Sequence, residues 1–73
     1  MNKNKLKSIL ALHGDTQAVL AEYLNISDNR LSAKINGYRG ADFNRKEIAA
    51  IRRRYELDAD QIDSIFFGEV VSE

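Results

Sequence analysis

Seventy-three residues allow one small domain, near the lower limit at which a single core supports itself. With no cysteine, neither a disulfide framework nor a thiolate metal site can help it, and no apolar run approaches the roughly 18 residues of a membrane span. The formal net charge is zero, yet residues 1–54 hold all eleven Lys and Arg against five acids, while residues 55–73 hold six acids and no base. Such a chain can present a basic face and stay neutral overall.

The basic start MNKNKLKSIL has its apolar part interrupted by Lys7 and Ser8, which makes it a poor signal peptide and leaves a cytoplasmic protein as the expectation. Residues 2–13 place Leu6, Ile9, Leu10 and His13 at i, i+3, i+4, i+7 spacing, the stripe of an amphipathic helix. Lys3, Lys5 and Lys7 lie off that stripe, where they oppose the helix macrodipole. They read either as a solvated, fraying end or as an arm for phosphates. Gly14 is placed to end this helix in the left-handed conformation. His13 has no second His or Cys beside it and reads as a helix-end residue rather than a metal ligand or a base.

The stretch TQAVLAEYLNISDNRLSAKING, Thr16 to Gly37, predicts two short helices, Gln17–Leu24 and Asp28–Asn36, about the turn Asn25–Ile26–Ser27. Thr16 and Ser27 are the expected N-caps, because a hydroxyl there accepts from a backbone N–H two or three residues on. Ile26 and Leu31 have the spacing of a hydrophobic staple, which sets the angle at which the second helix leaves the turn. Ala21 is small where that helix passes closest, and Asn25 tolerates the left-handed conformation the turn demands. Ala18, Leu20, Ala21, Leu24, Ile26, Leu31 and Ile35 are expected to share one interior. Asp28, Asn29, Arg30, Ser32, Ala33 and Lys34 then remain outside as a polar face.

A loop, GYRGADF, follows from Gly37 to Phe43. Asn44 and Glu47 make a capping box for a fourth helix, with Phe43 and Ile48 as its staple and Ile48, Ile51 and Tyr55 as its buried face. Leu57, Asp58, Gln61 and Ile62 repeat the device for a fifth, which runs through Ile65 and Phe66, with Phe67 close by, toward a stop at Gly68. Residues 69–73 show no periodicity and are expected to fray. Arg52, Arg53 and Arg54 end the fourth helix, where cations complement the dipole, and adjacent positions point about 100° apart. Pairing with the following Glu56, Asp58, Asp60 and Asp63 is the expectation, rather than one patch for DNA. No segment alternates with period two, so the fold class is all-α: a compact bundle of about five short helices in a single domain, residues 1–73.

Gln17 through Gly37 resembles the helix-turn-helix of the Cro and lambda-repressor class of phage and bacterial regulators. The resemblance rests on Gln17–x–x–x–Ala21, the turn Asn25–Ile26–Ser27, Leu31 and the closing Asn36–Gly37. The sequences GDTQ, LSAKING, ADF–x–x–x–EI and the late IFF are similar to short phage-type repressor-like proteins, so nearly the whole chain is covered. Asn25 departs from the usual glycine of the turn. Lys34–Ile35 stands where an apolar residue usually precedes a polar one, which implies a rotated or tightened last turn in the second helix.

The resemblance implies that this second helix enters the major groove, where each base pair presents its own donor and acceptor pattern. The base-edge candidates are then Asp28, Asn29, Ser32 and Ala33, with Ser27 at the groove wall. Asn29 suits adenine N6 and N7 together, and Ala33 can meet a thymine methyl. Asp28 either accepts from cytosine N4 or stabilises the helix N-terminus as an anion. Gln17 corresponds to the family's phosphate clamp, and Arg30, Asn36, Tyr38, Arg39, Asn44, Arg45 and Lys46 flank the same side as phosphate contacts. Tyr38 has a second reading as a half-buried lid on the core.

The function implied is a sequence-specific, double-stranded-DNA-binding transcriptional regulator of phage or prophage, Cro-like repressor type. One such helix reads only a few base pairs, so a weak homodimer on a pseudo-palindromic operator is expected, through Phe66, Phe67, Val70 and Val71. The alternative is a helix-turn-helix fold used as a protein-interaction module for a repressor, a toxin or a polymerase. An enzyme is not expected: the chain has one His, no Cys and no Gly-rich phosphate loop. No cofactor, metal, small-molecule ligand or membrane partner is expected either.

Overall fold

The computed structural model describes residues 1–67. Gly68, Val70, Val71 and the tail 69–73 lie outside the described residues, and with them the expected helix stop and half of the expected dimer surface. Five α-helices follow in order, with no strand among the described residues: α1 Lys3–Leu12, α2 Gln17–Leu24, α3 Asp28–Asn36, α4 Arg45–Tyr55 and α5 Ala59–Ile62. A 3-10 turn, Tyr38–Gly40, links α3 toward α4, and α5 continues as a π-helical turn, Asp63–Phe67. The described residues are therefore all-α, and none of their helices is long and apolar enough to cross a membrane.

Each helix begins on a side-chain cap. Asn2, Thr16, Ser27, Asn44 and Asp58 accept from the backbone N–H of Lys5, Val19, Arg30, Glu47 and Gln61. Such a cap satisfies one of the donors a helix start leaves unpaired. Asn44 with Glu47 and Asp58 with Gln61 close both halves of a capping box. Three helix ends share one construction as well. Gly14, Asn25 and Glu56 are left-handed, at φ +72°, +63° and +52°. The next residue in each case donates to the carbonyl five positions back: Asp15 N to Leu10 O at 2.8 Å, Ile26 N to Ala21 O at 3.0 Å, and Leu57 N to Arg52 O at 3.0 Å. These bonds satisfy carbonyls that the helix end would leave open.

The caps deliver the apolar stripes into one core. Leu6, Leu20, Leu31, Ile51 and Ile65 are fully buried, one from each of α1 to α4 and one from the final turn. Each contributes about 1.5–3 kcal/mol relative to exposure. The staple residues Leu31, Phe43, Leu57 and Ile62 belong to this cluster, and Ile26 and Ile48 pack against it half-buried. Asn2 N donates to Ile65 O at 2.7 Å, which ties the start of α1 to the π turn. Phe66 packs edge-on to Phe43 at 5.4 Å between ring centroids.

Four expectations are corrected. Ala18 is exposed rather than interior, because α2 turns Leu20 and Ala21 to the core and position 18 lies about 110° round the helix from the centre of that pair. Lys34, expected on the outer polar face of α3, is turned inward, while α3 stays α-helical to Asn36. The three arginines that end α4 make no ion pair with the acidic stretch after them among the described residues. Arg54 instead reaches Asp15 at 2.9 Å, and Arg52 Nε caps Leu57 O at 3.2 Å. Tyr38 is no lid, with 61% of its surface exposed.

Candidate nucleic-acid interface

The turn Asn25–Ile26–Ser27 holds α3 against α2, with Leu31 and Ile35 facing the core. Its first turn is left outside: Ser27, Asp28, Asn29 and Arg30 are all exposed. Ser27 Oγ accepts from Arg30 N at 3.1 Å, so the cap and the outward face are built from the same residues. Asp28 sits in the first turn, where an anion is favoured by the helix dipole. Ser32 and Ala33 are half-buried one turn further on.

Lys34 departs from the outward set. It is 7% exposed, and its Nζ donates to Glu47 Oε1 at 2.8 Å and to Asp42 O at 3.1 Å. The same Glu47 oxygen accepts from Asn44 N at 3.0 Å as part of the α4 capping box. The last turn of α3 is thereby locked to the first turn of α4, where Arg45 and Lys46 are exposed. Asn44 Oδ1 is committed to Glu47 N at 2.8 Å.

Asn36, expected at phosphate, is engaged within the protein. Its Nδ2 donates to Ser32 O at 2.9 Å, and its Oδ1 accepts from Lys3 Nζ at 3.2 Å. By sequence, Lys3 suits either a solvated helix end or an arm for phosphates. The fold brings it to the end of α3, beside a cleft of about 780 Å³ between the chain start and Asn36, Gly37 and Gly40. Gln17 is half-buried at the start of α2. Arg39 is exposed, in a left-handed conformation at φ +54°, with its guanidinium 5.3 Å from the Tyr38 ring centroid.

A second cleft, about 580 Å³, runs along the outer side of α3 and is lined by Asn29, Arg30, Ala33 and Lys34 from the helix and Tyr38, Ala41 and Asp42 from the loop. Ala41 and Asp42 line this cleft although they are not among the site residues expected from the sequence. No local signal marks them, since they reach the cleft only because the loop folds back over α3.

A separate polar cluster ties the α1–α2 loop to the end of α4. Asp15 Oδ2 accepts from Arg54 Nε at 2.9 Å and from the Tyr55 hydroxyl at 2.7 Å. The Arg54 hydrogen bond, with that of Tyr55, holds the Asp15 carboxyl below its ordinary value, and the same Asp15 bond raises Arg54. Burial, reinforced by Asp15, pushes the Tyr55 hydroxyl up to about 12. Arg54 also lies 4.8 Å from the Tyr23 ring centroid, and the His13 ring sits 4.9 Å from that of Tyr55. His13 thus closes α1 and packs on an aromatic. Among the described residues no group of three or more His, Cys, Asp or Glu is placed to hold a metal ion.

No family model, curated protein or solved structure matches this chain. The functional reading therefore rests on the geometry of α3 and its surroundings.

Proposed function

We propose that this protein is a sequence-specific regulator of transcription that binds double-stranded DNA through α3, a Cro-like repressor of phage or prophage type. The observation that carries the reading is the first turn of α3. Asp28, Asn29 and Arg30 stand exposed on a helix whose start is capped and whose back is braced by Leu31, Ile35 and the Lys34–Glu47 pair. A rigid helix with free amide, carboxylate and guanidinium groups at its N-terminal end suits the major groove, whose base edges differ in donors and acceptors. Arg39, Arg45 and Lys46 are exposed on the segments packed beside it and supply charge for phosphates. The sequence of Gln17 through Gly37, which forms α2, the three-residue turn and α3, also resembles the Cro and lambda-repressor class.

In this reading a two-fold dimer spans the operator, with the exposed Phe67 in the contact and Phe66 assigned to the core. The withdrawal of Lys34 removes one cation from the outer face and favours one competitor, a protein-interaction module. Salt separates the two. Titration against the DNA upstream of the chain's own gene, at two salt concentrations, should give binding that weakens steeply as salt rises. Absence of binding at low salt, or an affinity for a protein partner that salt barely changes, would turn the assignment to the module.

A further inference from the structure

Resting on the DNA-binding reading above, we propose that the cleft beside α3 receives the 5-methyl group of a thymine, and that Tyr38 determines specificity there instead of contacting phosphate. The charges lining the cleft balance one another and give a phosphate no net attraction inside it. The Lys34 ammonium is spent on Glu47 at 2.8 Å and on Asp42 O at 3.1 Å, so it has little to offer an anion. The exposed Asp42 lines the same cleft and offsets the exposed Arg30, the cation left in the lining. Between these polar groups the cleft offers a small apolar surface. Ala33 and Ala41, both half-buried, leave the space that larger side chains would fill, and the Tyr38 ring forms a wall.

That wall is held in place by an unusual backbone. Gly37, Arg39 and Gly40 are all left-handed, at φ +66°, +54° and +77°. A left-handed conformation disfavours Arg39, a residue with a β-carbon. Its guanidinium caps the Tyr38 ring at 5.3 Å, a contact that steadies an aromatic otherwise largely in solvent. In the major groove the apolar group of an unmodified base pair is the thymine methyl. Asn29 lines the same cleft with an amide able to bond adenine N6 and N7 together. One cleft thus combines an adenine reader with a methyl receptor, which directs this face toward A·T pairs.

The test starts from duplexes enriched out of a randomised pool by the full chain, after which each thymine is replaced in turn by deoxyuridine, which lacks only the methyl. Loss of one buried methyl at the critical thymine should weaken binding about fourfold. Tyr38→Ala should abolish that difference, whereas Tyr38→Phe, which keeps the ring, should retain it. If both variants weakened thymine and deoxyuridine duplexes alike, Tyr38 would be a phosphate contact through its hydroxyl and the proposal would be overturned. Enrichment with no deoxyuridine penalty anywhere would overturn it too, while leaving the DNA-binding reading intact. Failure to enrich any duplex would instead sink that reading itself.

Discussion

Lys34 Nζ lies 2.8 Å from Glu47 Oε1, and both side chains are almost wholly withdrawn from solvent. The pair joins the last turn of α3 to the first turn of α4 through an oxygen that also completes the α4 capping box. A buried ion pair adds little net stability over apolar residues of the same shape, but removing one partner leaves a charge stranded. Lys34→Ala should therefore cost about 3–5 kcal/mol in urea unfolding. Lys34→Met combined with Glu47→Gln, which keeps an acceptor for the Asn44 N–H, should cost under about 1 kcal/mol. Equal losses in the two proteins would show that the stranded carboxylate is not the cause.

Asp15, Arg54 and Tyr55 predict a stability profile with two shoulders. Folding holds the Asp15 carboxyl below 3.8, so on acidification the unfolded chain takes up a proton first. The contribution is complete above the ordinary carboxylate value and is lost as pH falls through the lower folded value. Tyr55 runs the other way. Its hydroxyl, raised from 10.0 to about 12, contributes stability that is full below 10.0 and is lost as pH rises toward about 12. Denaturation midpoints across pH should show both limbs. Asp15→Asn should flatten the acid one, and an unchanged acid limb in that variant would exclude Asp15 as its source.

Glu56 ends α4 in the left-handed region at φ +52°. A side chain there costs about 1–2 kcal/mol, and an acid at a helix C-terminus opposes the dipole. Glycine removes both penalties but makes the unfolded chain more flexible, so Glu56→Gly should stabilise the fold by about 0.5–1 kcal/mol. Thermal melting reads this directly. A lowered midpoint would mean that the Glu56 side chain has a role the backbone geometry does not reveal.

On DNA, Asn29→Ala should cost about 1–3 kcal/mol on the cognate site and relax preference at one base position. Arg45→Ala should weaken all sequences alike and reduce the salt slope by about one. Binding measured on matched and single-substituted duplexes distinguishes the two patterns. Unchanged operator affinity in Asn29→Ala would remove α3 from base reading.

The sequence by itself determined that there are five helices, four of their starts and the ends of the first three. Caps at Thr16, Ser27, Asn44 and Asp58, and the left-handed positions Gly14 and Asn25, act over three to five residues, so spacing alone reveals them. The exposed first turn of α3 was legible for the same reason: helical periodicity separates Leu31 and Ile35 from Asp28 and Asn29. Tertiary structure alone decided which charges find each other. Arg54 passes over the acids nearest in sequence for Asp15, 39 positions away, and Lys34 leaves the polar face for Glu47. Lys3 meets Asn36 from the far end of the chain, and Ala41 and Tyr38 become walls of a cleft because a loop folds back. Long, flexible charged side chains carry no period of their own. Their partners depend on the angles at which packed helices cross, and those angles are set by the whole core.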